Sequence, residues 1–190
     1  MLENYLKMIL KAPVYDVASV TALDFVAGIS SRLDNNVWLK REDTQSVFSY
    51  KIRGAYTLMA SIDPTLLKKG VIAASAGNHA QGVALSAKSL NTCATIVMPK
   101  TTPEIKINSV RGLGAEVILH GNNYDDASDY ASWLAVERGL TIIPPYDDPQ
   151  VIAGQGTVGM EILQQHKGTL DAIFVPIGGG GLIAGISVYV

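Results

Sequence analysis

The stretch DAIFVPIGGGGLIAGISVYV (171–190) places four consecutive glycines between two apolar runs. A strand, a glycine loop and an apolar helix in this order are typical of an anion-binding site. Glycines let the backbone approach a phosphate closely, and the start of a helix presents free N–H groups to it. We therefore predict a strand over 171–177, a phosphate-binding loop over 178–181 and a helix after it. A tight strand-to-helix turn that serves close packing is the alternative interpretation.

The residues after the loop exclude one common nucleotide-binding motif. A P-loop requires a lysine and a serine or threonine directly after its last glycine, whereas Leu182 and Ile183 follow here. The dinucleotide pattern G-x-G-x-x-G is not spelled either. The loop alone therefore indicates a phosphate-bearing ligand without identifying it.

Strands and helices alternate along the rest of the chain, which favours an open α/β architecture with mostly parallel sheets and three layers. In such sheets, ligands bind at the carboxyl ends of the strands, where the glycine loop also falls. Strands are predicted over 36–42, 70–75, 93–99, 115–121 and 140–146, and helices within 1–15 and over 50–62, 78–90, 103–114, 124–139 and 150–166.

The composition narrows the function classes. Of the 190 residues, 48% are hydrophobic and 17% are charged, so the chain can form a sizeable core. The net charge of -2 gives no basic excess, and we expect no nucleic-acid partner. The lone Cys93 excludes an internal disulfide and fits a reducing compartment, so we expect a cytoplasmic protein. The run 172–190 is uncharged, but Pro176 and the glycines would make a poor membrane helix, so no membrane span is expected.

A second motif, SYKIRGAY (49–56), places a lysine at the start of a predicted helix. Lysines are usually solvated, but Lys51 has mostly apolar neighbours and a nearby cation, Arg53. Such surroundings lower the pKa of a lysine and let it act as a nucleophilic amine. A Ser–Lys hydrolase pair is disfavoured because the S-x-x-K spacing is absent.

A third motif, ASAGNHAQG (74–82), lies between a predicted strand and a predicted helix. Small residues and free N–H groups at a helix start suit a carboxylate, and the Asn78 amide both donates and accepts hydrogen bonds. A plain helix cap is the alternative for Asn78. His79 is more typical of a structural histidine than of a general base. The remaining histidines and Cys93 lack metal-ligand spacing, so no metal is predicted.

Together, the three motifs resemble the fold-type II pyridoxal-phosphate enzymes, the tryptophan synthase β group. Two further stretches, KAPVYDVASVT (11–21) and PPYDDPQVIAGQGTVGMEI (144–162), are similar to the threonine dehydratases (threonine deaminases) of the biosynthetic type. The resemblance covers essentially the whole chain. Phe48 departs from the pattern, because a polar residue is expected before the Ser–aromatic–Lys triplet.

The resemblance implies a role for each motif, with pyridoxal 5'-phosphate as the cofactor. Lys51 would hold it as an internal aldimine and then act as the base, Asn78 would bond the 3-hydroxyl of its ring, and the glycine loop would bind its phosphate. The implied cofactor-binding residues are Lys51, Asn78, Gly178, Gly179, Gly180, Gly181 and Leu182, and the implied substrate-carboxylate residues are Ser75, Gly77, Asn78 and His79.

The resemblance also implies the reaction, which is dehydration and deamination of L-threonine to 2-oxobutanoate and ammonia in isoleucine biosynthesis. A catabolic serine/threonine dehydratase or a serine racemase, both acting on L-serine, is the runner-up. An inactive phosphate-binding relic is the alternative of another class. A homo-oligomer, a tetramer when full length, is implied as well.

The family's domain organisation implies a small subdomain at about 45–150, nested in a large one formed by 1–44 and 151–190. Its catalytic module continues beyond Val190 and is usually followed by a regulatory domain, so the chain is expected to be an inactive fragment. We further expect Leu182, Ile186 and Val190 to be exposed, and the isolated fragment to bind cofactor poorly and aggregate.

Overall fold

In a computed structural model of the chain, residues 2–190 are described. The helices and strands, in chain order, are α1 (Leu2–Lys11), β1 (Leu23–Phe25), α2 (Ala27–Leu33), β2 (Trp38–Lys40), α3 (Lys51–Ser61), α4 (Pro64–Leu67), β3 (Val71–Ala74), α5 (Asn78–Ser89), β4 (Ala94–Met98), α6 (Glu104–Gly112), β5 (Glu116–Leu119), α7 (Tyr124–Arg138), β6 (Thr141–Ile142), α8 (Pro149–Gln165) and α9 (Gly181–Tyr189).

A parallel sheet with the strand order β5-β4-β3-β6 forms the centre of the fold. Its strands confirm four of the predicted ones, each somewhat shorter than its apolar run. The fifth predicted strand, over 36–42, is also present as β2, but it pairs antiparallel with β1 in a separate two-stranded sheet. Since parallel strands share one carboxyl edge, the loops after β3, β4, β5 and β6 all emerge on the same side.

Helices cover both faces of the parallel sheet, which gives the predicted three layers. Alternate residues of β3 and β4 point to opposite faces, as the twofold period of a strand requires. Ala73 and Ile96 pack with α3, α5 and α6 on one face, whereas Ile72 and Val97 pack with α7 on the other. Gly139 ends α7 in the left-handed conformation, with φ 65°, as its place at the end of the predicted helix suggests.

The predicted strand over 171–177 is wrong. The segment has no regular secondary structure, and Phe174 and Ile177 are 96% and 67% exposed. A strand is stable only beside another strand that shares its hydrogen bonds, and no described strand pairs with this segment. The helix after the glycine loop is present as α9.

The expected exposure of α9 is correct only in part. Leu182 and Ile186 are buried, because α9 packs them against Val158 and Ile162 of α8. Val190 alone of the three expected residues is exposed, at 64%. Among residues 2–190, no helix is both long and apolar enough to cross a bilayer.

Candidate active site

Lys51 is the first residue of α3, and a strained turn leads into it. Phe48 has φ 57°, in the left-handed region that bulky residues rarely adopt, and its side chain is 72% exposed. The Lys51 amide donates a hydrogen bond to the Ser49 hydroxyl at 3.2 Å, but the N-cap residue Tyr50 provides no side-chain cap. The helix start that carries Lys51 is therefore fixed by something other than a standard cap.

The Lys51 ammonium group lies in a half-buried position beside a backbone carbonyl. Its Nζ donates to the Pro145 oxygen at 2.8 Å and lies 5.6 Å from the centre of the Tyr50 ring. Burial lowers the pKa of Lys51 below the usual lysine range. The predicted lowering is therefore present, and burial among mostly apolar neighbours is its cause. The second predicted cause, the charge of Arg53, does not contribute, because Arg53 is ion-paired with Glu42 and Glu161.

The residue after Pro145 brings the glycine loop to the same place. Tyr146 packs so closely on Gly179 that a Cβ there would overlap its ring, and a Cβ at Gly181 would lie 2.9 Å from the Tyr146 carbonyl oxygen. Only glycine fits these two positions. The dipeptide 145–146 therefore contacts Lys51 through one residue and the loop through the next.

The other two loop glycines face open space. A Cβ at Gly178 or Gly180 would meet no heavy atom within 4 Å, and Gly180 has φ 89°, which favours glycine. Helix α9 begins at Gly181, and the first N–H groups of a helix have no carbonyl partner within it. Free N–H groups beside an open backbone face suit a phosphate.

The start of α5 lies beside Lys51 as well. A Cβ at Gly82 would come within 3.2–3.3 Å of the Lys51 carbonyl group, so the first turns of α5 pack directly on the start of α3. Gly77, the N-cap of α5, has open space at its Cα and donates its N–H to the Ser75 hydroxyl at 3.2 Å. Because Asn78 is the first residue of α5, the third motif reaches the same site.

The His79 ring is buried and bonds the backbone of the core beside the site. Its Nε2 lies 2.9 Å from the carbonyl oxygen of Ile143, and the residue is 5% exposed. Burial chiefly, with a contribution from the Lys51 charge, lowers the pKa of His79 to about 4, so its ring is neutral at pH 7. This placement is typical of a structural histidine. No group of three or more metal-ligating side chains occurs among the described residues.

Two residues that contact the site, Pro145 and Tyr146, were not predicted from the sequence as site residues. Both follow β6, whose end lies at the carboxyl edge of the sheet. That position was the available signal, because this edge is where open α/β sheets bind ligands.

The site combines an amine of lowered pKa, an open glycine loop at a helix start and a second helix start beside the amine. This arrangement fits an enzyme that binds a phosphate-bearing aldehyde. The comparison with known families agrees: the chain belongs to the pyridoxal-phosphate dependent enzyme family, whose model matches residues 15–190. The cofactor of that family is pyridoxal phosphate, and the residues present here fit it.

Within this family, the chain is similar to proteins that are named threonine dehydratases. The chain is 60% identical over 186 residues to threonine dehydratase 1 biosynthetic, chloroplastic, of Solanum lycopersicum. The aligned region covers 98% of this chain and 31% of that protein. It is 58% identical over 191 residues to L-threonine dehydratase biosynthetic IlvA of Burkholderia multivorans. This alignment covers 99% of this chain and 38% of that protein. The chain thus spans about a third of the length of these curated relatives.

Solved structures show the same similarity in three dimensions. The processed form of threonine deaminase isoform 2 from Solanum lycopersicum matches with a TM-score of 0.96 and 54% identity, over 99% of this chain and 52% of that one. Maize serine racemase matches with a TM-score of 0.92 and 32% identity, over 96% of this chain and 56% of that one.

Proposed function

We propose that the protein containing this chain converts L-threonine to 2-oxobutanoate and ammonia with pyridoxal phosphate, as the first step of isoleucine biosynthesis. The observation that carries the proposal is the shared contact at 145–146, where Lys51 Nζ bonds Pro145 while Tyr146 packs on the glycine loop. The names of the relatives at 58–60% identity support threonine as the substrate.

Lys51 carries two roles in this proposal. Pyridoxal phosphate, when bound, supplies an electron sink for negative charge at the α-carbon of the amino acid. The neutral amine of Lys51 would hold the cofactor, and in the reaction it would take the α-proton of the amino acid onto Nζ. Its lowered pKa supports both roles, because a lowered pKa gives a larger neutral fraction near pH 7.

The glycine loop and the start of α5 would hold the two charged ends of the reactants. We assign the cofactor phosphate to the backbone of Gly178, Gly179, Gly180, Gly181 and Leu182, and the substrate carboxylate to Ser75, Gly77, Asn78 and the His79 backbone. The Asn78 amide would bond the 3-hydroxyl of the cofactor ring. Open space at the Cα atoms of Gly77, Gly178 and Gly180 supports this assignment.

L-Serine is the second candidate substrate, for a serine/threonine dehydratase or a serine racemase. The close structural match to maize serine racemase favours it, although its 32% identity is well below that of the threonine-named relatives. Steady-state kinetics of the complete gene product with the two amino acids decide the matter. The proposal predicts the higher kcat/KM for threonine, and a higher value for serine would overturn that choice.

The proposal extends to assembly and location. We propose a homo-oligomer, as the family resemblance implies. We propose a cytoplasmic location, which the single cysteine supports. The curated relatives include chloroplastic and mitochondrial proteins.

Borohydride reduction of the complete gene product in the presence of pyridoxal phosphate, followed by peptide mapping, tests the enzyme proposal. A pyridoxyl label on Lys51, absent from the Lys51→Ala variant, is the expected result. A folded protein without a label on Lys51 would instead indicate the inactive phosphate-binding relic.

A further inference from the structure

The side of α3 that faces away from the site carries Arg53, whose side chain is fully buried. Its Nε and Nη2 donate to the Glu42 carboxylate at 2.8 and 2.7 Å, and Nη1 and Nη2 donate to the Glu161 carboxylate at 2.6 and 3.0 Å. Further bonds reach the Thr157 hydroxyl at 3.1 Å and the Ser19 carbonyl at 3.2 Å. One side chain thus fastens α3 to the N-terminal segment, to the turn after β2 and to α8.

The charges around Arg53 are balanced. Lys40 donates to Glu161 at 2.6 Å, so two cations face two carboxylates, and the Tyr15 hydroxyl adds a bond to Glu161 at 2.9 Å. Burial alone would raise the pKa of Glu161, but the bonds from Arg53 and Lys40 outweigh it and hold that pKa below its usual value. Glu161 is therefore ionised at neutral pH.

Arg53 and Lys51 lie on opposite faces of α3. Successive residues of a helix are about 100° apart, so two positions along the chain turn a side chain by about 200°. We call the pairing of the Arg53 guanidinium with Glu42 on one side and Glu161 on the other the fork. A rotation or slide of α3 would therefore move Lys51 and at the same time break this fork. At the same level, α3 and α8 approach so closely that a Cβ at Gly154 would lie 2.5 Å from the Arg53 carbonyl oxygen.

A buried ion network adds little net stability compared with apolar packing, but it can select one arrangement among several. Here the network includes Arg53 within 45–150 and both of its carboxylates outside that range, so it crosses the predicted subdomain boundary. The N-cap residue Tyr50 provides no side-chain bond, and the start of α3 follows the strained Phe48. Beyond the 3.2 Å bond from the Lys51 amide to Ser49, the ion network supplies a second anchor for this helix start.

We propose that Arg53 is a positioning residue for Lys51: its fork to Glu42 and Glu161 fixes the rotation and height of α3 and thereby holds the amine at the Pro145 carbonyl. The inference rests on the function proposed for Lys51. According to this proposal, the two-sided geometry of the Arg53 side chain positions Lys51, and a positive charge at position 53 is not sufficient.

The Arg53→Lys variant of the complete gene product tests this, because lysine keeps the charge but cannot make the two-sided fork. In the cofactor-free protein, the pH dependence of Lys51 acetylation by acetic anhydride gives the midpoint at which the amine becomes reactive. The titratable groups His79, from α5, and Tyr50 lie near that amine, and neither is changed in the variant. We expect the midpoint to rise toward that of an ordinary lysine, since a loosened Lys51 loses its half-buried position.

Activity provides the second measurement. A displacement near 1 Å can lower a rate by up to about 100-fold. We therefore expect kcat to fall by about tenfold or more in Arg53→Lys, with KM for threonine little changed, since the proposed carboxylate site is on α5. If Arg53→Lys does not fold, the charge-balanced Arg53→Met/Glu42→Gln variant replaces it, with the same expectations.

Tyr15→Phe is the matched control, because it removes one hydroxyl bond to Glu161 and leaves the bonds of Arg53 to both carboxylates in place. We expect it to lower stability slightly and to leave the acetylation midpoint unchanged. The proposal is overturned if the folded Arg53 variant keeps the wild-type midpoint, or if Tyr15→Phe shifts the midpoint equally. A wild-type protein that takes no pyridoxyl label on Lys51 would refute the proposed function instead, and the acetylation midpoints would still decide the role of Arg53.

Discussion

The Gly181→Ala substitution tests the contact that joins the glycine loop to the lysine. A Cβ at Gly181 would lie 2.9 Å from the Tyr146 carbonyl oxygen and 3.1 Å from its Cα, whereas ordinary contacts begin at 3.4 Å. Both atoms belong to the backbone and cannot rotate away. The start of α9 must therefore retreat by about 0.5 Å from the segment that also binds Lys51, which is overpacking of the kind described for well-packed cores.

The free-energy difference follows from a comparison with Gly28→Ala. A Cβ at Gly28, within α2, meets no atom within 4 Å, so alanine there gains only helix propensity, about 0.5–1 kcal/mol. Gly181→Ala receives a similar gain at most and carries a steric cost of about 1–3 kcal/mol. The two variants should therefore differ by about 1–3 kcal/mol in the free energy of unfolding.

Chemical denaturation and a fluorescence titration with pyridoxal phosphate measure the two consequences. We expect Gly181→Ala to lose stability relative to Gly28→Ala and to bind the cofactor about tenfold more weakly, about 1.4 kcal/mol, since the displaced loop carries the proposed phosphate site. Equal stability of the two variants, together with wild-type cofactor affinity, would refute the packing argument.

Three further outcomes follow from the same contacts. Lys51→Ala should abolish measurable turnover with threonine while far-UV circular dichroism stays that of the wild type, and turnover within tenfold of wild type would exclude Lys51 as anchor and base. Asp148→Ala should cost about 1 kcal/mol in chemical denaturation, because its carboxylate caps α8 through the amides of Gln150 and Val151. Asp147→Ala is the control for the cap and should be nearly neutral, so equal losses in the two variants would contradict the capping role. The pKa of His79 is lowered to about 4, so between pH 6.5 and 4 the His79 ring is protonated in the unfolded chain but neutral in the folded chain. Stability should therefore fall between pH 6.5 and 4 by at most about 3 kcal/mol from this group, and His79→Gln should have a flatter profile than wild type. Parallel profiles for wild type and His79→Gln would rule out this source of pH dependence.

Most of the fold could be predicted from the sequence, because each strand of the parallel sheet is a short apolar run bounded by turn residues. The segment 171–177 shows the limit of that reasoning. Its apolar residues predict a strand. A strand forms only beside a neighbouring strand that shares its hydrogen bonds, and the residues of the segment alone do not show whether such a neighbour is present. The packing of Leu182 and Ile186 depends likewise on α8, a distant element.

The site shows a similar division. The Lys51 helix start, the start of α5 and the glycine loop were predicted from residue types that suit an amine, a carboxylate and a phosphate. The contact that joins them was not, because the Pro145 carbonyl is a backbone group that any residue would offer. The charge of Arg53 was expected to act on Lys51, but Arg53 pairs with Glu42 and Glu161, because a helix turns positions 51 and 53 to opposite faces.

The central claim is that Lys51 and the glycine loop hold two ends of one small molecule. A crystal structure of the complete gene product with pyridoxal phosphate measures this directly. The account predicts Lys51 Nζ bonded to the aldehyde carbon, with the phosphate oxygens at hydrogen-bond distance, about 2.7–3.2 Å, from backbone amides of the 178–182 segment. A phosphate held elsewhere, or a cofactor bonded to another lysine, would contradict it.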